Sequence, residues 1–340
     1  MNKSILAILD GEERYAYGLM AYFSEKANLP FRIHIFTDID KFASFGGKEE
    51  VECMLVSERM YSENLEDTGI PHIIILSESG NLLNTTLRHI DKFQACENIY
   101  KEVIKYYTEF GGEGVPVVRT GSKKMKIIGV YTPIGRCLQT TFAFSLGQLL
   151  SMSSKTLYLN FERYSGLSAL LKKQFNSDIS DLLYYFECAK EKLSLRIDSI
   201  VENANGLDYI PPASIYQNLA GIHGSQWLDL FSEMEKCTEY EYLILDLTDG
   251  MLDLWDVLQN CDVIYTISRR DPIALAKIEQ YEMAIKESAY TEVLKKTRKC
   301  KFPIFQDVSV KFDELTKGEL ARYIKSRILP EILDLGEKHE

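Results

Sequence analysis

Between Lys126 and Thr141 the chain reads KIIGVYTPIGRCLQTT: an apolar run, a short turn-forming stretch and paired threonines, in the order a phosphate-binding loop requires. A loop of that kind, G-x-x-x-x-G-K-[ST], uses glycine so that backbone N–H groups can wrap phosphate oxygens, and lysine to neutralise them. Thr140 keeps its place and Gly135 lies five residues before it, whereas Leu138 stands where the second glycine belongs and Gln139 where the lysine belongs. Two later segments add polar strand ends. KTLYLNFE, Lys155 to Glu162, ends in Asn160 and Glu162, and YLILDLTDG, Tyr242 to Gly250, closes four apolar residues with Asp246 before a turn. An aspartate at the carboxyl end of a buried parallel strand is placed to meet a hydrated magnesium ion beside phosphates.

Each residue also has a simpler reading. Thr140 and Thr141 could satisfy free backbone N–H groups at the start of a helix. Asp246 could cap a turn at a strand end. Glu162 could be a solvated loop acid, and the carrying signal is the order and separation of the three segments together.

In that order the segments resemble the deviant P-loop of the MinD/ParA family, whose usual form is S-P-K-G-G-V-G-K-T-T. Thr132-Pro133 precedes the loop and Thr140-Thr141 follows it, while Ile134 replaces the family's signature lysine, Arg136 its second glycine and Gln139 its P-loop lysine. The resemblance implies a nucleotide site at Gly135, Arg136, Gln139, Thr140, Thr141 and Asp246, with Thr140 and Asp246 organising magnesium if Mg-ATP or ADP binds. Glu162, where the family has the second acid of its D-x-D, is the candidate catalytic carboxylate. Phosphoryl transfer rests on charge stabilisation, so replacing both lysines removes the means of catalysis. Arg136 is the substitute cation if one operates, since guanidinium matches phosphate geometry.

The elements that must hold these residues form an α/β pattern. Strands are expected at Lys126–Tyr131, Thr156–Asn160, Tyr242–Asp246, Asp262–Ser268 and Phe302–Phe305. Helices are expected at Thr140–Leu150, Gly166–Phe175, Ile179–Cys188, Ser225–Glu235 and Pro272–Ala289, with Asp271 capping the last ahead of Pro272. A glycine- and proline-rich stretch at 111–124 reads as a linker, dividing a first domain at 1–110 from a second at 125–340. The first alternates strands Ser4–Leu9, Phe31–Phe36, Val51–Val56 and His72–Leu76 with helices Tyr15–Ala27 and Ala95–Thr108, a second small doubly wound sheet. The expected fold is therefore two doubly wound α/β domains, the first flavodoxin-like and the second P-loop NTPase-like with a mostly parallel sheet.

The first domain resembles a response-regulator receiver, the partner fused ahead of the ATPase-like half in the CpaE/TadZ branch. Asp10, Glu12 and Glu13 follow its first strand and Lys92 matches the receiver lysine, but Ser57 stands where the phosphorylatable aspartate would. A pseudo-receiver used for docking is the implied role.

At 340 residues and 46% hydrophobic content the chain is long enough for two cores. It has no run of about eighteen uncharged apolar residues, which argues against a membrane span, and its start argues against a signal peptide. Cytoplasmic residence follows as the expectation, with recruitment to the inner face of the cell membrane as an extension. Seven scattered cysteines with no C-x-x-C pair argue against a zinc site or disulfide framework. A formal net charge of −11 argues against nucleic acid as a partner. KKTRKCK at Lys295–Lys301 is the best local basic patch, or else a solvated helix end. Residues Glu319–Leu335 place apolar side chains at helical spacing interrupted by Pro330, favouring a helix packed on the sheet over a peripheral membrane anchor.

The resemblance thus implies a non-catalytic or very weakly active homodimeric scaffold for localisation and assembly of a Flp/Tad-type pilus or secretion machine, with proteins of that apparatus as partners. The alternatives are a slow Mg-ATP-dependent dimerisation switch and a signalling module working through regulated dimerisation of the pseudo-receiver.

Overall fold

A computed structural model describes residues 3–26, 28–78, 86–110, 124–303, 305 and 311–337, with the side chains of 313 and 334–337 excepted. The linker expected at 111–124 lies outside them apart from its last residue. The chain divides into two compact units, Met1–Val117 with Ala189–Ser199, and Val118–Cys188 with Ile200–Glu340.

Among the described residues unit 1 is built on five strands, β1 (Ser4–Leu9), β2 (Phe31–Phe36), β3 (Val51–Ser57), β4 (His72–Ser77) and β5 (Arg88–Asp91), all parallel in the order β2-β1-β3-β4-β5. That is the doubly wound, flavodoxin-like order. Strands β1, β3 and β4 are buried almost throughout, which is why they read as continuous apolar runs. Helices Glu13–Ser24 and Cys96–Glu109 cover one face around Leu6, Ile8, Leu55 and Ile74. The other face buries Phe36, Phe42, Val56 and Ile75.

Among the described residues unit 2 carries seven strands: β6 (Lys126–Val130), β7 (Thr156–Asn160), β8 (Glu202–Ala204), β9 (Leu207–Tyr209), β10 (Tyr242–Asp246), β11 (Val263–Ser268) and β12 (Thr297–Lys301). Their order is β12-β11-β6-β10-β7-β9-β8, parallel except for the β8–β9 hairpin. The carboxyl ends of β6, β10, β7 and β11 open onto one edge of this sheet, where doubly wound proteins place their ligands.

Helix Gln139–Leu150 leaves β6 through the loop and is buried along nearly its whole length. Gly147 lets it lie close to the sheet, because a β-carbon there would stand 2.7 Å from a Leu207 methyl. Gln148 bonds Phe312 O and the Leu315 N–H, and Ser145 donates to Leu315 O, so the segment after β12 is tied to this helix.

Several expectations need correction. The last strand is Thr297–Lys301, inside the basic run, and not Phe302–Phe305: Cys300 turns into the core while Arg298, Lys299 and Lys301 face out. The basic run is therefore the end of helix Thr291–Lys296, with Lys295 and Lys296 in its last turn, followed by the outer face of an edge strand. The helix expected at Gly166–Phe175 is only Leu167–Leu171, ended by Lys172 at φ 52°. The C-terminal pattern forms two helices, Gly318–Arg327 and Leu329–Glu337, with Leu320, Ile324, Ile328 and Ile332 in the core. Among the described residues no helix is long and apolar enough to cross a membrane. Cys53, Cys137, Cys261 and Cys300 are buried thiols and Cys188 is exposed.

Candidate functional site

At the carboxyl edge of the unit 2 sheet, the segment Thr132–Thr141 borders a cavity of 610 Å³, closed on its other sides by Glu162, Leu247, Thr248, Asp249 and Lys277. The loop is anchored from beneath. Thr132 donates to Ile267 O at 2.8 Å and Ile134, where the resemblance expects a reaching lysine, is buried in the core.

The loop backbone has the conformation glycine would favour, without the glycines. Arg136 sits at φ 53° and Leu138 at φ 67°, two of the three positions where the deviant P-loop carries glycine, the third being Gly135. Left-handed backbone costs a residue with a β-carbon roughly 1–2 kcal/mol. Gly135 itself is open, with no atom near the position of a β-carbon. Helix Gln139–Leu150 starts directly from Leu138 with no side-chain cap, so its first N–H groups face the loop. Thr140 and Thr141 are half-buried in that first turn.

Behind the loop, Asp246 is fully buried at the end of β10, in register with Asn160 on β7 and Val130 on β6. The Gln139 amide donates to Asp246 Oδ1 at 2.6 Å and to Leu247 O at 2.8 Å. Tyr158 Oη and Asn160 Nδ2 each donate to Asp246 Oδ2 at 2.9 Å. The Asn160 amide orientation follows from its other end, since Oδ1 accepts the Glu162 N–H at 2.9 Å. Thr140 also hydrogen-bonds the carboxylate. Burial raises the Asp246 carboxyl above the usual carboxylate range, and the bonds from Gln139, Thr140 and Tyr158 pull it back down. The acid is thus held by neutral donors of its own chain, in charge-assisted bonds worth about 1.5–3 kcal/mol each.

Glu162 lines the cavity, and burial raises its carboxyl too, reinforced by the charges of Asp246 and Asp249. Asp249 accepts from the Tyr131 hydroxyl. Arg136 and Lys277 are the cations bordering this cavity, both exposed. A second cavity of 740 Å³ shares the wall Arg136–Leu138 and adds Arg269, Arg270, Asp271 and Phe302. Asp271 caps helix Pro272–Lys286 by accepting the Ala274 N–H.

All the candidate residues, Gly135, Arg136, Gln139, Thr140, Thr141, Glu162 and Asp246, fall in one neighbourhood. Their arrangement does not fit a magnesium–polyphosphate complex. The lysine position holds a neutral amide turned away onto Asp246, the signature position holds a buried isoleucine, and both carboxylate oxygens of Asp246 are taken. Tyr158 and Lys277 were not singled out from the sequence. Tyr158 shares a face with Asn160 two residues on, a period-2 signal inside KTLYLNFE, whereas nothing local marks Lys277 as facing the loop.

In unit 1, Lys92 is enclosed and lies 2.9 Å from Asp10, 2.8 Å from Glu78 and 3.3 Å from Glu12. Burial opposes its charge, but the bonds to Glu78 and Asp10 hold it above the usual lysine value. Ser57 is buried at the end of β3, and Glu13 is exposed at the start of its helix.

No protein-family model matches the chain, and no curated protein does. Among solved structures, it is similar to a plasmid partition protein from Borrelia burgdorferi bound to AMPPNP, at 18% identity and TM-score 0.45, over 64% of this chain and 100% of that one. It is similar to a ParA family ATPase from Chlorobium tepidum at 16% identity and TM-score 0.45, over 62% of this chain and 98% of the other. The MinC:MinD cell division protein complex of Aquifex aeolicus aligns at 14% identity and TM-score 0.40, over 62% and 78%.

Proposed function

We propose that unit 2 is a phosphate-loop fold retained as a scaffold, without hydrolysis and without tight nucleotide binding. The observation that carries this reading is the direction of Gln139: its amide closes onto Asp246 and Leu247 O and leaves the position of the P-loop lysine uncharged. A loop that is strained at Arg136 and Leu138 yet keeps its path is held by its packing, as a docking surface requires.

By its resemblance to CpaE/TadZ proteins, the chain would act as a homodimeric scaffold placing a Flp/Tad-type pilus or secretion machine, bound at the inner face of the cell membrane through protein partners. Unit 1 would serve as a pseudo-receiver. Its Lys92 is neutralised by Asp10 and Glu78, so it needs no phosphoryl group to hold its state.

Phosphate release in the presence of Mg-ATP tests the silent-site reading. The wild-type chain and Asp246→Ala should release phosphate at the same background rate. Release by the wild type that disappears in Asp246→Ala would establish the slow ATPase switch instead. In cells, an Asp246→Ala variant that kept its fold should still support pilus assembly, whereas deletion of residues 1–110 should abolish positioning.

A further inference from the structure

Unit 1 is not one continuous stretch of chain. The chain leaves unit 2 after Cys188, contributes Ala189–Ser199 to unit 1, and returns to unit 2 at Ile200. Those eleven residues carry all but the last residue of a short helix, Leu193–Ile200. Leu195 is 1% exposed and belongs to the same apolar cluster as Tyr100, Val103, Ile104 and Tyr107 of helix Cys96–Glu109.

The polar contacts converge on the end of that same helix. Helix Cys96–Glu109 has no basic residue in its own last turn, which leaves its terminal carbonyls and dipole without a counter-charge. The inserted segment supplies two. Lys192 Nζ donates to Thr108 O at 3.1 Å, and Arg196, its side chain 2% exposed, lies 3.3 Å from the Thr108 hydroxyl and 3.5 Å from the Glu109 carboxylate. At the other end of the segment Asn28 donates to Asp198 at 2.9 Å. A plain connector between two parts of unit 2 would have no reason to bury an arginine here, because a guanidinium out of water is costly unless it is paired.

We infer that Ala189–Ser199 is a strap: a segment encoded within unit 2 that completes the core of unit 1 and caps its helix Cys96–Glu109, so that unit 1 is held folded only while the strap is seated. The inference is independent of the proposed function of the phosphate loop. It makes residues 1–110 an incomplete folding unit, and it makes the integrity of unit 1 depend on a segment lying between helix Ile179–Cys188 and the β8–β9 hairpin of unit 2.

Amide hydrogen exchange on the full-length chain tests it. In Leu195→Asp, peptides covering 96–109 should exchange about ten-fold or more faster than in the wild type, while peptides covering 126–130 and 242–246 stay unchanged. Arg196→Ala should show the same pattern more weakly and Arg196→Lys should recover part of the protection. Unchanged protection of 96–109 beside a freely exchanging 189–199 would overturn the strap. Should Leu195→Asp fail to fold, the wild type alone decides. Exchange measured against denaturant should show amides of 193–199 and 96–109 opening together with one dependence, and separate opening of 193–199 at lower denaturant would contradict the inference.

Discussion

Gln139 and Asp246 lie 107 positions apart and meet at 2.6 Å, and this pair sets the chemistry of the site. A lysine in place of Gln139 would put a charge at the head of the loop; the amide instead satisfies a buried acid. Donors from Gln139, Thr140, Tyr158 and Asn160 face that acid, so Asp246→Asn would turn an amide N–H₂ against them. It should lower stability by about 2 kcal/mol, measured by urea unfolding, through donors left without an acceptor. The loop backbone gives a second prediction. Arg136 is exposed at φ 53°, so Arg136→Gly should be more stable than Arg136→Ala by about 1 kcal/mol, since only glycine relieves the left-handed conformation. Equal stabilities would mean the loop relaxes away from that conformation in solution.

At the scale of elements, legibility followed burial. Strands β7 and β10 run over the residues expected from sequence, because each is a run of buried residues closed by a polar residue at the site. Strand β12 was hidden because an edge strand buries little: in TRKCK only Cys300 is core, and the outward charges imitate a solvated run. The three-residue strands β8 and β9 are too short to show any period. The loop's position could be read from KIIGVYTPIGRCLQTT, whereas the direction of the Gln139 amide could not, since it depends on a strand far along the chain.

Strand β4 carries a pH dependence of its own. His72 is 5% exposed beside Tyr106 and Tyr107, and burial lowers its basicity below the ordinary 6.5, with Lys192 adding to the effect and Glu52 opposing it. The unfolded chain therefore binds this proton more readily than the folded one, and the histidine's contribution is present above 6.5 and lost as pH falls through the folded value. Thermal unfolding followed from pH 7 downward should show a steeper loss in the wild type than in His72→Phe. Parallel curves would place the acid sensitivity elsewhere.

For the whole molecule, two doubly wound sheets stand on one chain, each with its own core. Alternation of apolar runs with helical patterns made both sheets legible in advance. The contribution of Ala189–Ser199 to unit 1 was not legible, because a segment's own residues do not say which core it joins. The altered loop is proposed no longer to hold nucleotide. Calorimetric titration of the full-length chain with Mg-ATP and Mg-ADP tests it most directly, read together with the shift in unfolding temperature that binding to the native state must produce. No saturable heat and no shift are expected at millimolar nucleotide. Saturable binding with a matching rise in unfolding temperature, lost in Asp246→Ala, would contradict the proposal and make this loop a working nucleotide site.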